Sequence, residues 1–192
     1  MQIKKLEEIA RISSGHSFRR RIEYQENGRL LVVTGKDIGN TFYLQKKDLT
    51  KIDKEVHQDK LIEQGDVLLS ARGKFKAVVS SVKENLIAAS SVYVLKIDKD
   101  VLLPEYLVLW LNSKIGQAEI NKKVTGATIK ILLKKDLENI KIEVPELIIQ
   151  REIVEFYKTT QELKDKLKIK SEKVENIFEG ALAKMIKSKT KK

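Results

Sequence analysis

The strongest constraint in this chain lies in its last quarter. An apolar seam runs Ile149, Ile153, Phe156, Thr160, Leu163, Leu167, Lys170, Val174, Ile177, Ala181, in alternating steps of four and three residues. That is the heptad repeat of a helix that lays one narrow stripe against another helix. No proline follows Pro145, and no glycine interrupts the seam before Gly180. At the rise of an α-helix the seam is roughly 50 Å long, too long to be covered along its whole length by the residues before it. The chain offers no second heptad tract of that length. The partner helix is therefore expected from another polypeptide, with a second copy of this chain the simplest source. In that coiled coil Ile149, Ile153, Phe156, Leu163, Leu167, Val174, Ile177 and Ala181 are the expected dimerisation residues. Thr160 and Lys170 weaken the seam and fix register or orientation, or, in an antiparallel pair, Lys170 snorkels to solvent.

Residues 1–145 read differently. Residues 2–12 suggest a short helical or mixed pattern. Leu30-Leu31-Val32-Val33 is a β-branched run expected as a buried strand, ended by Gly35. Residues 46–60 are polar with a weak helical period. Val67-Leu68-Leu69-Ser70 and residues 75–82 flank the basic turn Ala71-Arg72-Gly73-Lys74 and predict a hairpin. Residues 86–89 and 91–97 predict two more strands. Pro104 opens a helix that is apolar almost all round and so should be buried, and Ser113 is placed to cap a second helix reaching Lys123. Ile140 to Val144 alternates as a last strand before Pro145. Many short strands, a helical pair and a closing strand make an α+β, mixed α/β domain over 1–145. A long coiled-coil helix over 146–187 and a frayed basic tail over 188–192 follow.

The 192 residues carry 38 Lys and Arg against 27 Asp and Glu, a net charge of +11. The excess is shared by the front domain and the helical part, which points to a polyanionic partner, nucleic acid before membrane surface. There is no cysteine, so disulfides, thiolate nucleophiles and thiolate zinc sites are excluded. His16 and His57 are the only histidines and lie far apart. No apolar run has the length of a membrane span, and no signal-peptide core opens the sequence, so a cytoplasmic chain without membrane contact is expected. Enzyme readings fare poorly. With Pro104 and Pro145 the only prolines, the Asn/Asp-Pro-Pro-aromatic tetrapeptide of adenine methyltransferases is absent. So is a G-x-x-x-x-G-K-[ST] phosphate loop. Asp98 and Asp100 close a strand more readily than they hold a metal. The chain reads as a non-enzymatic recognition module with no cofactor of its own.

Its candidate DNA-binding residues are the cations on turns and loops: Arg19, Arg20, Arg21, Lys36, Arg72, Lys74, Lys76, Lys122, Lys123 and Lys130. Arginine suits bidentate pairing with guanine and lysine suits phosphate oxygens. Asn40, Gln45 and Thr128 are further candidates for base edges. Arg72 leads the set, because a hairpin turn would project it from two rigid strands. Trp110 and Tyr106 sit on the apolar helix and are expected in the core rather than stacked on bases.

Five segments in order carry a resemblance. Leu6-Glu7-Glu8-Ile9 leads to Ser14-Gly15. Leu61-Ile62-Glu63-Gln64-Gly65-Asp66-Val67-Leu68-Leu69-Ser70-Ala71-Arg72-Gly73 follows, then Pro104-Glu105-Tyr106-Leu107 through Leu111-Asn112-Ser113. Thr125-Gly126-Ala127-Thr128-Ile129 comes next, and Pro145-Glu146-Leu147-Ile148-Ile149-Gln150-Arg151-Glu152-Ile153 leads into the long helix. Together they resemble the DNA specificity subunit of type I restriction-modification systems, in a half-length form with one target recognition domain and one conserved helix. Ile149 stands where that family usually has glutamate before Gln150, and a second proline beside Pro145 is missing. The resemblance implies double-stranded DNA as ligand and a homodimer that rebuilds a two-domain reader of a bipartite symmetric target. It also implies methyltransferase and motor/restriction subunits as partners, which would hold the S-adenosylmethionine and ATP. The competing reading is a coiled-coil scaffold with a basic front domain, distinguished by its lack of salt-dependent DNA binding.

Overall fold

Residue 2 starts a strand, not a helix. The computed structural model describes residues 2–39 and 41–189, and its first elements are β1 (Gln2–Lys5), a 3-10 turn (Leu6–Glu8) and β2 (Ala10–Ser14). The helical look of residues 2–12 came from Leu6, Ile9 and Ile12, all buried. Their spacing of three reflects one tight turn between two strands. Then follow β3 (Leu30–Val33), β4 (Thr50–Ile52), β5 (Val67–Ser70), β6 (Ala77–Val79), β7 (Leu86–Ala88) and β8 (Val92–Ile97). The chain closes with α1 (Pro104–Asn112), α2 (Lys114–Lys123), α3 (Lys134–Glu138), β9 (Lys141–Val144) and α4 (Leu147–Lys189). The polar stretch 46–60 is two 3-10 turns around β4, not an α-helix.

Three sheets result. β2, β8, β5 and β6 form an antiparallel sheet in that order; β4, β3 and β7 form a second, in which β3 and β7 run parallel; β1 pairs antiparallel with β9. Alternation on β3 explains its unbroken apolar run. Leu31 and Val33 pack with Leu68, Val78 and Val94 of the four-stranded sheet. Leu30 and Val32 pack with Ile52 and Ile87 on the opposite side, under Phe18, Ile22 and Leu61. A strand buried on both faces has no polar face to alternate with. α1 lies against β5 and β6 and buries Tyr106, Leu107, Val108, Trp110 and Leu111, so both aromatics belong to the core.

Helix boundaries follow their local chemistry. Pro104 occupies the first turn of α1. The Ser113 hydroxyl accepts from Gly116 N at 3.0 Å and donates to Trp110 O at 2.7 Å, starting α2 and closing α1 with one side chain. Ser113→Ala removes both bonds and is expected to cost about 1 kcal/mol, read as a lower urea midpoint at unchanged slope; an unchanged midpoint would remove the capping role.

The chain divides by contacts into two units, Met1–Arg151 and the remainder from Glu152. The described part of the second unit is helix, and α4 as a whole spans about 65 Å. Thr160 donates its hydroxyl to Phe156 O at 2.8 Å, so this polar seam residue leaves no unpaired group on the helix surface. Helix continues to Lys189, into the stretch expected to be a frayed tail; residues 190–192 lie outside the described residues, as does Asn40.

Candidate nucleic-acid interface

Strand register decides which loops share a neighbourhood. Ser14 is opposite Tyr93, Ser70 opposite Val92, and Leu69 opposite Ala77. The ends of β2 and β5 and the beginnings of β6 and β8 therefore lie at one end of the sheet. The parallel strands β3 and β7 finish there too. Ala89 N donates to Val33 O at 2.8 Å, Ala71 N to Ser91 O at 2.8 Å, Gly15 N to Val92 O at 3.0 Å and His16 N to Ala88 O at 2.7 Å. Gly35 N donates to the Ser91 hydroxyl at 3.0 Å. So the segment with Arg19, Arg20 and Arg21, the turn with Lys36 and the hairpin loop with Arg72, Lys74 and Lys76 all start from the same sheet end.

A later stretch of chain joins them. Leu132 N donates to Ala71 O at 3.1 Å and Gly73 N to Lys130 O at 3.0 Å; Thr125 and Ile131 exchange bonds of 3.0 and 2.8 Å. The buried Tyr93 hydroxyl donates to Leu132 O at 2.8 Å, and burial pushes that phenol above its ordinary pKa, against the opposing charge of Arg72. Residues 124–132 are thereby stitched to the hairpin loop, and they directly follow Lys122 and Lys123 at the end of α2. Two glycines allow the fit. Gly73 has φ +74° and Gly126 φ +103°, both in the left-handed region that favours glycine. A Cβ on Gly126 would also sit 2.3 Å from Ile129 O. Six of the ten candidate cations thus ride on two loops and a helix end that are bonded to one another.

Some lysines outside the candidate set are partnered: Lys96 with Glu63 at 2.7 Å and Asp66 at 3.5 Å, Lys134 with Glu138 at 3.2 Å, Lys46 with Glu84. Among the described residues, only Lys122 of the ten has an ion-pair partner, Glu119 at 2.5 Å. Arg19, Arg20, Arg21, Lys36, Arg72, Lys74, Lys123 and Lys130 are exposed, Lys76 half-buried. Uncompensated charge on pinned backbone is what a polyanion site requires.

His16 forms a small basic cluster next to the arginine segment. Its Nε2 lies 2.6 Å from Lys54 Nζ, and Lys54 sits over the Phe18 ring, itself edge-on to the imidazole. Burial, then the charges of Lys54 and Lys60, holds His16 below the usual imidazole range. The imidazole is thus favoured in its neutral form, with a lone pair for the lysine.

The motif around Gly65 splits into two tasks. Gly65 N donates to Ser80 O, and the buried Asp66 carboxylate accepts from Glu63 N at 2.8 Å, which turns the chain into β5. Burial pushes the Asp66 carboxyl up. Its job is folding; the Arg72 end of the motif is the presented part. Among the described residues no group of His, Asp and Glu is arranged to hold a metal, and no helix is long and apolar enough to cross a membrane.

On α4, Ile149, Ile153, Phe156, Leu163, Leu167, Val174, Ile177 and Ala181 are all exposed. The seam reading missed Phe178, Leu182 and Met185, also exposed. They follow the same four-and-three spacing one residue out of step with the seam, so the apolar surface broadens towards the C-terminal end. Exposed Ile129 and Leu133 flank Lys130 and were likewise not foreseen as surface residues.

An α+β domain with exposed cations on interlocked loops is thus followed by a long amphipathic helix. The chain belongs to the type I restriction modification DNA specificity domain family, which it matches over residues 1–176. That family supplies DNA recognition rather than catalysis. Among solved structures the fold is similar to the HsdS subunit from Thermoanaerobacter tengcongensis, with TM-score 0.63, 23% identity, and coverage of 87% of this chain and 38% of that one. It is similar also to the type I restriction-modification S subunit from M. genitalium, with TM-score 0.59, 16% identity, and coverage of 84% and 39%. The chain thus spans less than two fifths of those proteins' length. No curated protein sequence matches it.

Proposed function

We propose that this chain is the sequence-reading subunit of a type I restriction-modification enzyme, and that its DNA surface is the loop-bearing end of the four-stranded sheet. The observation that carries the reading is the interlocking of the hairpin loop, the end of α2 and residues 124–132, which gathers Arg72, Lys74, Lys76, Lys122, Lys123 and Lys130. Arg19, Arg20, Arg21 and Lys36 extend the same surface. In this reading α4 pairs with a second copy through its exposed apolar stripe. The resulting two recognition domains read a bipartite, symmetric target. The helices also recruit methyltransferase and motor/restriction subunits, and these hold S-adenosylmethionine and ATP. The site of action is the cytoplasm. A scaffold role for α4 without DNA reading makes no use of the cations gathered on the interlocked loops.

The test is charge reversal at the centre of the cluster. Arg72→Glu is expected to weaken duplex binding by about tenfold or more and to flatten the dependence of log affinity on log salt by roughly one unit per lost phosphate contact. Fluorescence anisotropy at several salt concentrations reads both. Wild-type affinity in the variant at every salt concentration would move the interface elsewhere.

A further inference from the structure

Two side-chain amides at the α1–α2 corner hold the hairpin loop from behind, without belonging to the basic surface. β6 is the outer strand of its sheet, and Ala77 and Val79 turn their peptide groups away from β5. Val79 is satisfied by chain: its N–H donates to Phe42 O at 3.0 Å and its carbonyl accepts from Leu44 N at 2.9 Å. Ala77 is satisfied by one side chain. Asn112 Oδ1 accepts from Ala77 N at 2.9 Å, and Asn112 Nδ2 donates to Ala77 O at 2.8 Å. The carboxamide reproduces the donor–acceptor pair that a neighbouring strand would present. Five residues on, Gln117 Nε2 donates to Phe75 O and to Leu111 O, both at 2.7 Å. The outgoing stem of the loop, 75–77, is therefore bound to the helical corner by three hydrogen bonds from two amides. The incoming stem is bound to residues 130–132 through Ala71 and Gly73.

We infer that Asn112 and Gln117 are positioning residues for DNA recognition: they fix the geometry of the loop bearing Arg72, Lys74 and Lys76, and lock it to the helix bearing Lys122 and Lys123. The inference rests on the DNA reading proposed above. Three physical points support it. A loop clamped on both stems loses little entropy on binding, so more of each contact appears as affinity. Base readout by a bidentate arginine depends on sub-ångström placement, whereas attraction between lysine and phosphate tolerates disorder. And Gln117 bridges α2 to the loop, so cations on both move as one body. Losing the clamp should therefore harm discrimination between sequences more than it harms general attraction to DNA.

The experiment uses the full chain and the variants Asn112→Leu and Gln117→Leu, with Ile142→Ala in β9 as a control destabilised away from the site. Wild-type protein first selects duplexes from a random pool; binding of the enriched duplex and of a scrambled duplex is then measured across salt concentrations. Amide hydrogen exchange at Gly73 and Leu132, on the far clamp, is followed without DNA. The expected result is a loss of about tenfold in the ratio between enriched and scrambled duplex, with an unchanged salt slope, and faster exchange at Gly73 and Leu132. The control should keep both the ratio and the protection. Variants that retain the ratio, or lose it only as the control does, overturn the inference. If wild-type protein shows no salt-dependent binding to any duplex, the DNA reading itself fails. The clamp is then judged by exchange alone, and unchanged exchange at Gly73 and Leu132 refutes it.

Discussion

Gln150→Leu is expected to lower the thermal midpoint of this protein by roughly 10 °C. Gln150 is fully buried at the start of α4, and one carboxamide closes three gaps in the backbone. Its Oε1 accepts from Leu103 N at 2.8 Å; its Nε2 donates to Val101 O at 2.9 Å and to Pro145 O at 2.8 Å. Leucine fills similar space but leaves one N–H and two carbonyls without those partners. A buried polar group so stranded costs about 1–3 kcal/mol, and about 3–5 kcal/mol in total corresponds to about 6–20 °C for a chain of this size. Circular dichroism melting measures it, and a shift under about 2 °C would show that water replaces the amide. Gln150→Glu sharpens the test. The carboxylate still accepts from Leu103 N but faces two carbonyl oxygens, so burial and repulsion raise its pKa in the folded state. A raised carboxyl pKa means that the folded state binds the proton more tightly. The variant should then be most stable at low pH and lose that stability as pH rises through the folded pKa.

The second large effect concerns α4. Leu163→Glu with Leu167→Glu places two charges on adjacent positions of the exposed stripe. If the stripe pairs two copies, the double variant should change the molar mass from twice 22.0 kDa to 22.0 kDa, since a buried unpaired charge costs several kcal/mol. Light scattering at micromolar concentration reads the change. Wild-type protein running at 22.0 kDa would end the dimer proposal outright. Phe178→Glu alone asks where pairing is densest: a weaker dimer would place the broadened region, with Leu182 and Met185, inside the contact.

These two predictions rest on residues that the sequence exposed to different degrees. Features set by near neighbours were legible. Leu30 to Val33 announced a buried strand, Pro104 and Ser113 marked helix starts, and the alternating steps from Ile149 marked a long helix. Gln150 was visible as part of a recognisable lead-in to that helix, but its task was not, because Val101, Leu103 and Pro145 meet it only through the fold. The candidate interface divides in the same way. Arg72 could be placed on a hairpin turn, since the turn is local. Its pairing with Ile131, and the approach of Lys122, Lys123 and Lys130, depend on contacts between distant stretches that no period reveals. Asn112 looked like the end of a helix and nothing more. Of the helical and mixed alternatives left open for residues 2–12, the mixed one holds: one 3-10 turn between two strands imitates the spacing of a short amphipathic helix.

The pairing of β1 with β9 has a consequence beyond stability. Gln2 stands opposite Val144, so these two distant points of the first unit lie side by side. A unit with adjacent ends can be cut out, exchanged or spliced into another protein with little disturbance at the seams. The candidate basic loops start from the opposite end of β2 and from the end of β5, so a graft joined at Gln2 and Val144 would carry them unaltered.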